Sequence, residues 1–185
     1  MNIPKEWRDF LTLVQKVDPF AILAGGALRD LDHGRPVKDL DIFVQPGFNH
    51  AAFEKLLPPG SYWPVMRRAD YASLVDVQSI WGSYVELARD PLEFAEYLPA
   101  QIIELNRPMS TFEIIGRLDF GLCQIGFDGT TLVRSPVYMT DSTNKTFTLV
   151  RIDDEVGARA RRREERLSNK YSDFRFIYPQ TGDSK

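Results

Sequence analysis

The chain has 185 residues, of which 43% are hydrophobic, and its formal net charge is −3. This length and hydrophobic fraction are typical of one folded domain with a substantial hydrophobic core. Its single cysteine and two histidines exclude an internal disulfide, an all-cysteine zinc site and a centre built from several histidines. A catalytic metal would therefore be held mainly by carboxylates, which favours Mg²⁺ or Mn²⁺. No apolar run is long enough to span a membrane and no signal-peptide pattern is present, so we expect a cytoplasmic protein without a membrane partner.

Hydrophobic periodicity predicts a mixed α+β domain whose helices and strands interleave without a regular βαβ rhythm. The expected helices, in chain order, are 4–17, 27–32, 49–57, 90–97, 110–116 and 153–169. The expected strands are 20–24, 40–44, 74–80, 83–88, 101–105, 121–127, 130–133 and 147–152. We expect residues 1–152 to form the main domain, and residues 153–185 to add a basic helix and a tail that pack on it.

The stretch 20–44 combines a glycine pair with two closely spaced carboxylates. Gly25 and Gly26 follow a predicted buried strand and open a short helix, so their backbone can approach a phosphate closely. Asp39 and Asp41 lie two residues apart at the start of the next strand, and their side chains therefore project to the same side. Two adjacent carboxylates repel each other unless a cation joins them. The pattern predicts a metal-dependent reaction on a nucleoside triphosphate.

Residues 25–41 resemble the head-domain signature of class II CCA-adding enzymes and bacterial poly(A) polymerases, which belong to the DNA polymerase β-like nucleotidyltransferase superfamily. The shared pattern is Gly-Gly-x-x-Arg-Asp, a short helix, Gly-Arg and Asp-x-Asp, and the spacing here has no gap. The resemblance implies a nucleotidyltransferase fold, with a mixed β-sheet flanked by helices. It also implies an enzyme that moves a nucleoside monophosphate from an NTP, with ATP as the first choice, to an acceptor hydroxyl and releases pyrophosphate.

The resemblance also implies roles for side chains around this signature. Asp39 and Asp41 would hold Mg²⁺ or Mn²⁺, while the glycine pair would contact the nucleotide. Lys38 is a further candidate for a nucleotide contact, with a surface charge as the alternative. Arg29 would bind a phosphate, or alternatively form an ion pair with Asp30 or Asp32. A second segment, Arg117-Leu118-Asp119-Phe120, resembles in part a motif that lies near the nucleotide in the family. It adds Arg117 and Asp119 as nucleotide contacts.

The superfamily usually places a third acid on a neighbouring strand between apolar residues. Three positions fit this description, namely Asp76, Glu86 and Glu104. We expect Glu104 to complete the catalytic and metal site, because residues 101–103 read as a central strand and lead toward the Arg117 motif. Glu86 and Asp76 are the alternatives.

The predicted C-terminal helix is basic, with six positive and two negative charges from Arg159 to Lys170. Arg159, Arg162 and Arg163 are candidate contacts to nucleic-acid phosphates, with a solvated helix or a triphosphate contact as the alternatives. The family's enzymes carry further helical domains after the head, whereas this chain is similar to small stand-alone phage and bacterial nucleotidyltransferases. An RNA 3′ end is the first hypothesis for the acceptor. A protein, a small molecule and a non-catalytic nucleotide-binding module remain the alternatives.

Overall fold

The computed structural model describes residues 1–65, 76–87, 96–151 and 154–178, except the side chains of residues 154–159. Six α-helices lie within these ranges: α1 Lys5–Gln15, α2 Gly26–Asp32, α3 His50–Glu54, α4 Thr111–Gly116, α5 Pro136–Asn144 and α6 Asp154–Lys170. A 3-10 helix, Gly121–Cys123, replaces the first part of the strand predicted over 121–127. The strands there are β1 Ile22–Ala24, β2 Leu40–Val44, β3 Trp63–Pro64, β4 Val77–Glu86, β5 Tyr97–Leu105, β6 Ile125–Phe127, β7 Leu132–Arg134, β8 Thr146–Thr148 and β9 Arg175–Ile177. The predicted mixed α+β class is confirmed.

Seven strands form one mixed sheet in the order β3-β4-β5-β2-β1-β6-β7. β2 and β5 run parallel, and the other neighbouring strands of this sheet run antiparallel. β8 and β9 form a separate parallel pair. β2 therefore lies at the centre of the large sheet, with β1 on one side of it and β5 on the other.

The two faces of this sheet bury different cores, because successive side chains of a strand point to opposite faces. On the first face, which we call the α1 face, Leu40 and Ile42 pack with Phe10 and Leu11 of α1. On the second, the α4 face, the core is formed by Ile22, Phe43 and Ile103 of the strands and Ile114 and Ile115 of α4. Asp41 alternates with Ile42 and therefore belongs to the α4 face.

Local capping explains where several helices begin. Ser110 and Glu113 form a capping box at the start of α4, as the sequence predicted. Ser135 accepts a hydrogen bond from the Tyr138 amide (3.0 Å) and Pro136 occupies the first turn of α5, a helix that our sequence analysis missed despite this N-terminal signal.

β4 corrects a second expectation. It is one continuous strand through Trp81 and Gly82, whereas the sequence predicted two strands around a turn there. A Cβ atom on Gly82 would lie 2.5 Å from the ring of Trp63, so this glycine makes room for a ring and does not mark a turn. Tyr97 begins β5 and does not end a helix. The rest of the predicted helix 90–97 and the tail 180–185 fall largely or wholly outside the described residues.

Buried side chains of α6 join the core beneath it. Ala160 and Leu167 of this helix, and Tyr171 directly after it, belong to the same cluster as the α1-face residues. None of the helices in the described ranges combines the length and the apolar character that crossing a membrane requires.

Candidate active site

A cavity of about 240 Å³ opens between the start of α2, the start of β2 and one side of α6. Six residues that the sequence assigned to the nucleotide or the metal line it together: Gly25, Gly26, Arg29, Lys38, Asp39 and Asp41. The structure thus brings the two ends of the signature, the glycine pair and the two aspartates, to one cavity, whereas Gly34 and Arg35 between them do not line it. α6 adds Arg163, Arg166 and Lys170, of which sequence reasoning had singled out only the first.

The glycine pair forms one wall of the cavity with its backbone. Gly25 has φ of +84°, a conformation that other residues adopt only with strain. Its amide donates to the Ile125 carbonyl (2.9 Å), which fixes the turn from β1 into α2 against the neighbouring strand β6. A Cβ atom on Gly26 would come within 3.6 Å of the Arg29 guanidinium. The wall therefore presents peptide groups without side chains in front of them.

The two aspartates lie side by side, and one of them has an unmet hydrogen-bond acceptor. Oδ1 of Asp41 is buried and finds no hydrogen-bond partner among the described residues. Burial and the neighbouring charge of Asp39 raise the pKa of Asp41 to about 7, although Arg163, Arg166 and Lys38 act in the opposite direction. An orphaned buried carboxylate oxygen is costly without a ligand. A cation at Asp39 and Asp41 would remove that cost.

Arg29 is engaged within the protein. Its Nε and Nη2 donate to Oδ1 of Asp30 (2.8 and 2.7 Å), and its Nη1 donates to Sγ of Cys123 (3.0 Å). The ion pair with Asp30, which the sequence left open as an alternative to a phosphate contact, is therefore formed. Asp30 also accepts from the Tyr171 hydroxyl (2.7 Å) and pairs with Lys170, so this buried cluster joins α2 to the end of α6.

Glu104 does not fit the role that the sequence gave it. It pairs in register with Val44 of β2, whereas Asp41 pairs with Gln101, so Glu104 lies on the α1 face and Asp41 on the α4 face. Its carboxylate interacts with the His50 ring (3.0 Å) and accepts from the Ser79 hydroxyl (2.7 Å) and the Gly47 amide (2.9 Å). Burial opposes its ionisation, but these hydrogen bonds prevail and hold its pKa below the usual range.

Asp76, one of the three candidate third acids, shares a cavity with Asp41. A second, smaller cavity adjoins the first and is lined by both of these aspartates, Arg117 and Arg163. Asp76 is already ion-paired with Arg117, and Arg107 lies 3.7 Å from it. Glu86 also lies on the α4 face, like Asp41, but it is exposed at the end of β4.

The predicted nucleic-acid contacts on α6 separate in the structure. Arg163 turns toward the site, where it donates to Oδ1 of the buried Asp119 (2.6 Å) and lines both cavities. Arg162 is exposed, and the side chain of Arg159 lies outside the described part of the chain. Arg163, Arg166 and Lys170 recur at helical spacing, which explains why one side of α6 presents three cations to the cavity.

No protein-family model matches the sequence, and no curated protein matches it either. Solved structures do match. A CCA-adding enzyme in complex with CTP has a TM-score of 0.64 and 18% identity, and the match covers 95% of this chain and 41% of that one. The Thermotoga maritima CCA-adding enzyme complexed with tRNA has a TM-score of 0.59 and 19% identity, with coverages of 95% and 40%. The Bacillus stearothermophilus CCA-adding enzyme in complex with CTP has a TM-score of 0.54 and 16% identity, and the match covers 97% of this chain and 42% of that one.

This chain therefore spans about two fifths of the length of the enzymes it matches. At identities below one fifth, the likeness establishes the fold. The chain has a nucleotidyltransferase fold like that of a CCA-adding enzyme's head domain, as the resemblance of residues 25–41 implied.

Proposed function

We propose that this protein transfers a nucleoside monophosphate from an NTP to an acceptor hydroxyl in a reaction that requires a divalent metal. The observation that carries the proposal is the buried oxygen of Asp41 that has no hydrogen-bond partner among the described residues, beside Asp39, in a cavity that glycine backbone and cations of α6 also line. The fold supports the same class of reaction.

The residues present fit Mg²⁺ or Mn²⁺, because both ions prefer oxygen ligands and a pair of carboxylates supplies them with compensating charge. Asp39 and Asp41 would hold the metal. When bound, it would neutralise charge on the reacting phosphate and activate the attacking oxygen.

The chain's own residues position the triphosphate. The peptide groups of Gly25 and Gly26 admit it closely, and Arg166 of α6 adds positive charge to the same cavity, which Lys170 also lines while it is paired with Asp30. Lys38, whose Nζ lies 4.0 Å from Asp39, adds a third cation at the rim. In the reaction the acceptor oxygen bonds to the α-phosphorus, the bond from that phosphorus to the bridging oxygen breaks, the hydroxyl proton is released and pyrophosphate leaves.

An RNA 3′ hydroxyl is the acceptor we favour. The chain shares its fold with a CCA-adding enzyme solved with tRNA and with others solved with CTP. The nucleotide itself, with ATP as the first choice, is to be determined by experiment.

The test is transfer of label from each of the four α-labelled NTPs to a single-stranded RNA, in the presence of Mg²⁺. Asp41→Asn serves as the matched control, since it keeps the shape of the side chain and removes its charge. Covalent label on the RNA with the wild type, and its loss with the variant, would support the proposal. Label on neither RNA, protein nor small molecules would contradict it.

A second candidate is a nucleotide-binding module without catalysis. Within the described residues, no group of three histidine, cysteine or acidic side chains is arranged to hold a metal ion. Asp76, which shares a cavity with Asp41, is ion-paired with Arg117. Tight NTP binding with no transfer to any acceptor would favour this module over the enzyme.

A further inference from the structure

The cross-strand register places Asp41 in a row with three other residues on the α4 face. Asp41 of β2 pairs with Gln101 of β5, Gln101 pairs with Gly82 of β4, and Gly82 pairs with Trp63 of β3. Directly paired residues project to the same face of a sheet, and neighbouring strands are about 4.8 Å apart. The row therefore runs from the candidate catalytic acid to Trp63 over roughly 14 Å.

The outer end of this row is a group of aromatic rings, Trp63, Tyr84 and Tyr97, which we call the aromatic platform. The ring of Trp63 lies over Gly82, since a Cβ atom there would meet it at 2.5 Å. Ring centroids are 5.0 Å apart for Trp63 and Tyr84, and 6.3 Å apart for Tyr84 and Tyr97. Tyr84 and Tyr97 are 48% and 56% exposed, respectively, so both side chains are accessible from solvent.

Gln101 supplies a second, independent observation between the platform and the acid. Its side-chain oxygen Oε1 is buried and has no hydrogen-bond partner among the described residues. A buried amide oxygen without a donor is costly. An amino group of a nucleobase or a ribose hydroxyl bound over the row would supply that donor.

The order of the strands places the glycine wall and the aromatic platform on opposite sides of Asp41. The glycine wall is on the β1 side of Asp41, and the platform is on the β5 side. In-line displacement requires the attacking oxygen and the leaving pyrophosphate to lie on opposite sides of the α-phosphorus. If the triphosphate extends toward the glycine wall, the acceptor approaches from the platform side.

We propose that the aromatic platform stacks unpaired bases of a single-stranded nucleic-acid acceptor whose 3′ terminus lies at Asp41. This inference rests on the proposed function and deepens it by assigning the acceptor a binding surface. Aromatic rings stack on any base, so the platform is tolerant of sequence. The exposed Glu86, the cross-strand partner of Tyr97, disfavours phosphates at the outer end, which points to binding through base faces.

Binding of a fluorescently labelled ten-nucleotide single-stranded RNA, measured by anisotropy without NTP, tests the platform. Tyr84→Ala and Tyr97→Ala should each weaken binding by roughly 5- to 100-fold, as loss of a stacked ring does. Phe112→Ala is the matched control, because Phe112 is a 67% exposed aromatic residue on α4, outside the platform, and it should leave RNA affinity unchanged. A blunt RNA duplex should bind more weakly than the single strand.

NTP affinity, measured separately on the same variants, identifies the source of the stacked base. We expect it to stay within about twofold of the wild type, because the platform serves the acceptor strand. If the tyrosine variants lose NTP affinity and keep RNA affinity, the base belongs to the incoming nucleotide and the inference is overturned. Equal RNA binding by the wild type and both variants would overturn it as well.

The outcome for the platform is separable from the outcome for the proposed function. A protein that transfers nucleotide to a small molecule or a protein but does not bind single-stranded RNA keeps the function and loses the platform. A protein whose RNA affinity depends on Tyr84 and Tyr97, but which neither binds NTP nor transfers nucleotide, keeps the platform and loses the function.

Discussion

Asp41 and Glu104 are acidic residues on two adjacent central strands, yet their surroundings are opposite. On the α1 face, the Glu104 carboxylate has three partners, and its pKa lies below the usual range because these hydrogen bonds outweigh burial. On the α4 face, one oxygen of Asp41 has no hydrogen-bond partner in the described part of the chain, and burial beside Asp39 raises its pKa to about 7.

Glu104 therefore stabilises the fold, whereas the fold holds Asp41 with one buried oxygen that has no hydrogen-bond partner among the described residues. A buried carboxylate with a full set of hydrogen bonds contributes to stability, while one without them costs stability until a ligand arrives. Such a cost is typical of functional sites, where perturbed carboxylates cluster.

The largest expected effect is on catalysis. Asp39→Ala and Asp41→Ala should each lower the rate of transfer by about 10³-fold or more, because losing a metal ligand removes several kcal/mol of charge stabilisation in the transition state. Single-turnover transfer of labelled nucleotide measures the rate, and circular dichroism checks that the variants are folded. Activity near that of the wild type in either variant would contradict the assignment of these acids.

Glu104→Gln should instead destabilise the fold by about 2 kcal/mol at pH 7, because it weakens hydrogen bonds that the charged carboxylate accepts. The pKa of Glu104 is depressed in the folded protein. The stabilisation is therefore present above the pKa that this group has in the unfolded chain, and it is lost as the pH falls through its pKa in the folded protein. Urea unfolding at pH 7 and at pH 3 measures both effects. A folded variant that has lost transfer would restore Glu104 to the catalytic site.

Asp41→Asn should instead increase the stability of the metal-free protein. Because the pKa of Asp41 is raised to about 7, the folded state binds more protons than the unfolded state between pH 4 and 7, and stability falls across that range. The variant should therefore be more stable than the wild type by about 1–3 kcal/mol at pH 8, with a smaller gain at pH 5. Thermal unfolding in EDTA measures this gain, and an absent or negative gain at pH 8 would contradict the orphaned acid.

The smallest expected effect concerns the cations that lower the pKa of Asp41. Arg166→Gln removes a positive charge that lines the cavity and lowers the pKa of Asp41, so NTP affinity should fall by about three- to tenfold. Arg161→Gln removes an equal charge from an exposed position of the same helix that does not line the cavity. Isothermal titration of both variants with NTP should show a clear difference, and equal affinities would remove α6 from the triphosphate site.

The sequence predicted those parts of the site that local spacing determines. The glycine pair and the two aspartates lie within one short stretch, where the strand-helix-strand order alone brings them together. The position of Glu104 depended on the register between β2 and β5. A shift of one residue moves a side chain to the other face, and no local pattern fixes that register.

The missed cations of α6 have a related cause. Helical periodicity groups Arg163, Arg166 and Lys170, but it does not state which side of a charged helix faces the protein. Buried Ala160 and Leu167 determine that side, and the hydrophobic signal is weak among so many arginines. The glycine at position 82 misled in a similar way, since its close contact with Trp63 is a feature of the folded sheet.

The cluster around Asp30 has a consequence for the order in which this protein becomes functional during its synthesis. The hydrogen bond between Tyr171 and Asp30 joins residues 141 positions apart in the chain. A nascent chain on the ribosome therefore contains its glycine wall and its aspartates well before the α6 residues that line the same cavity have been synthesised. Under the proposed function, an unfinished chain would therefore have its acids and Lys38 but not yet the cations that α6 adds to the cavity.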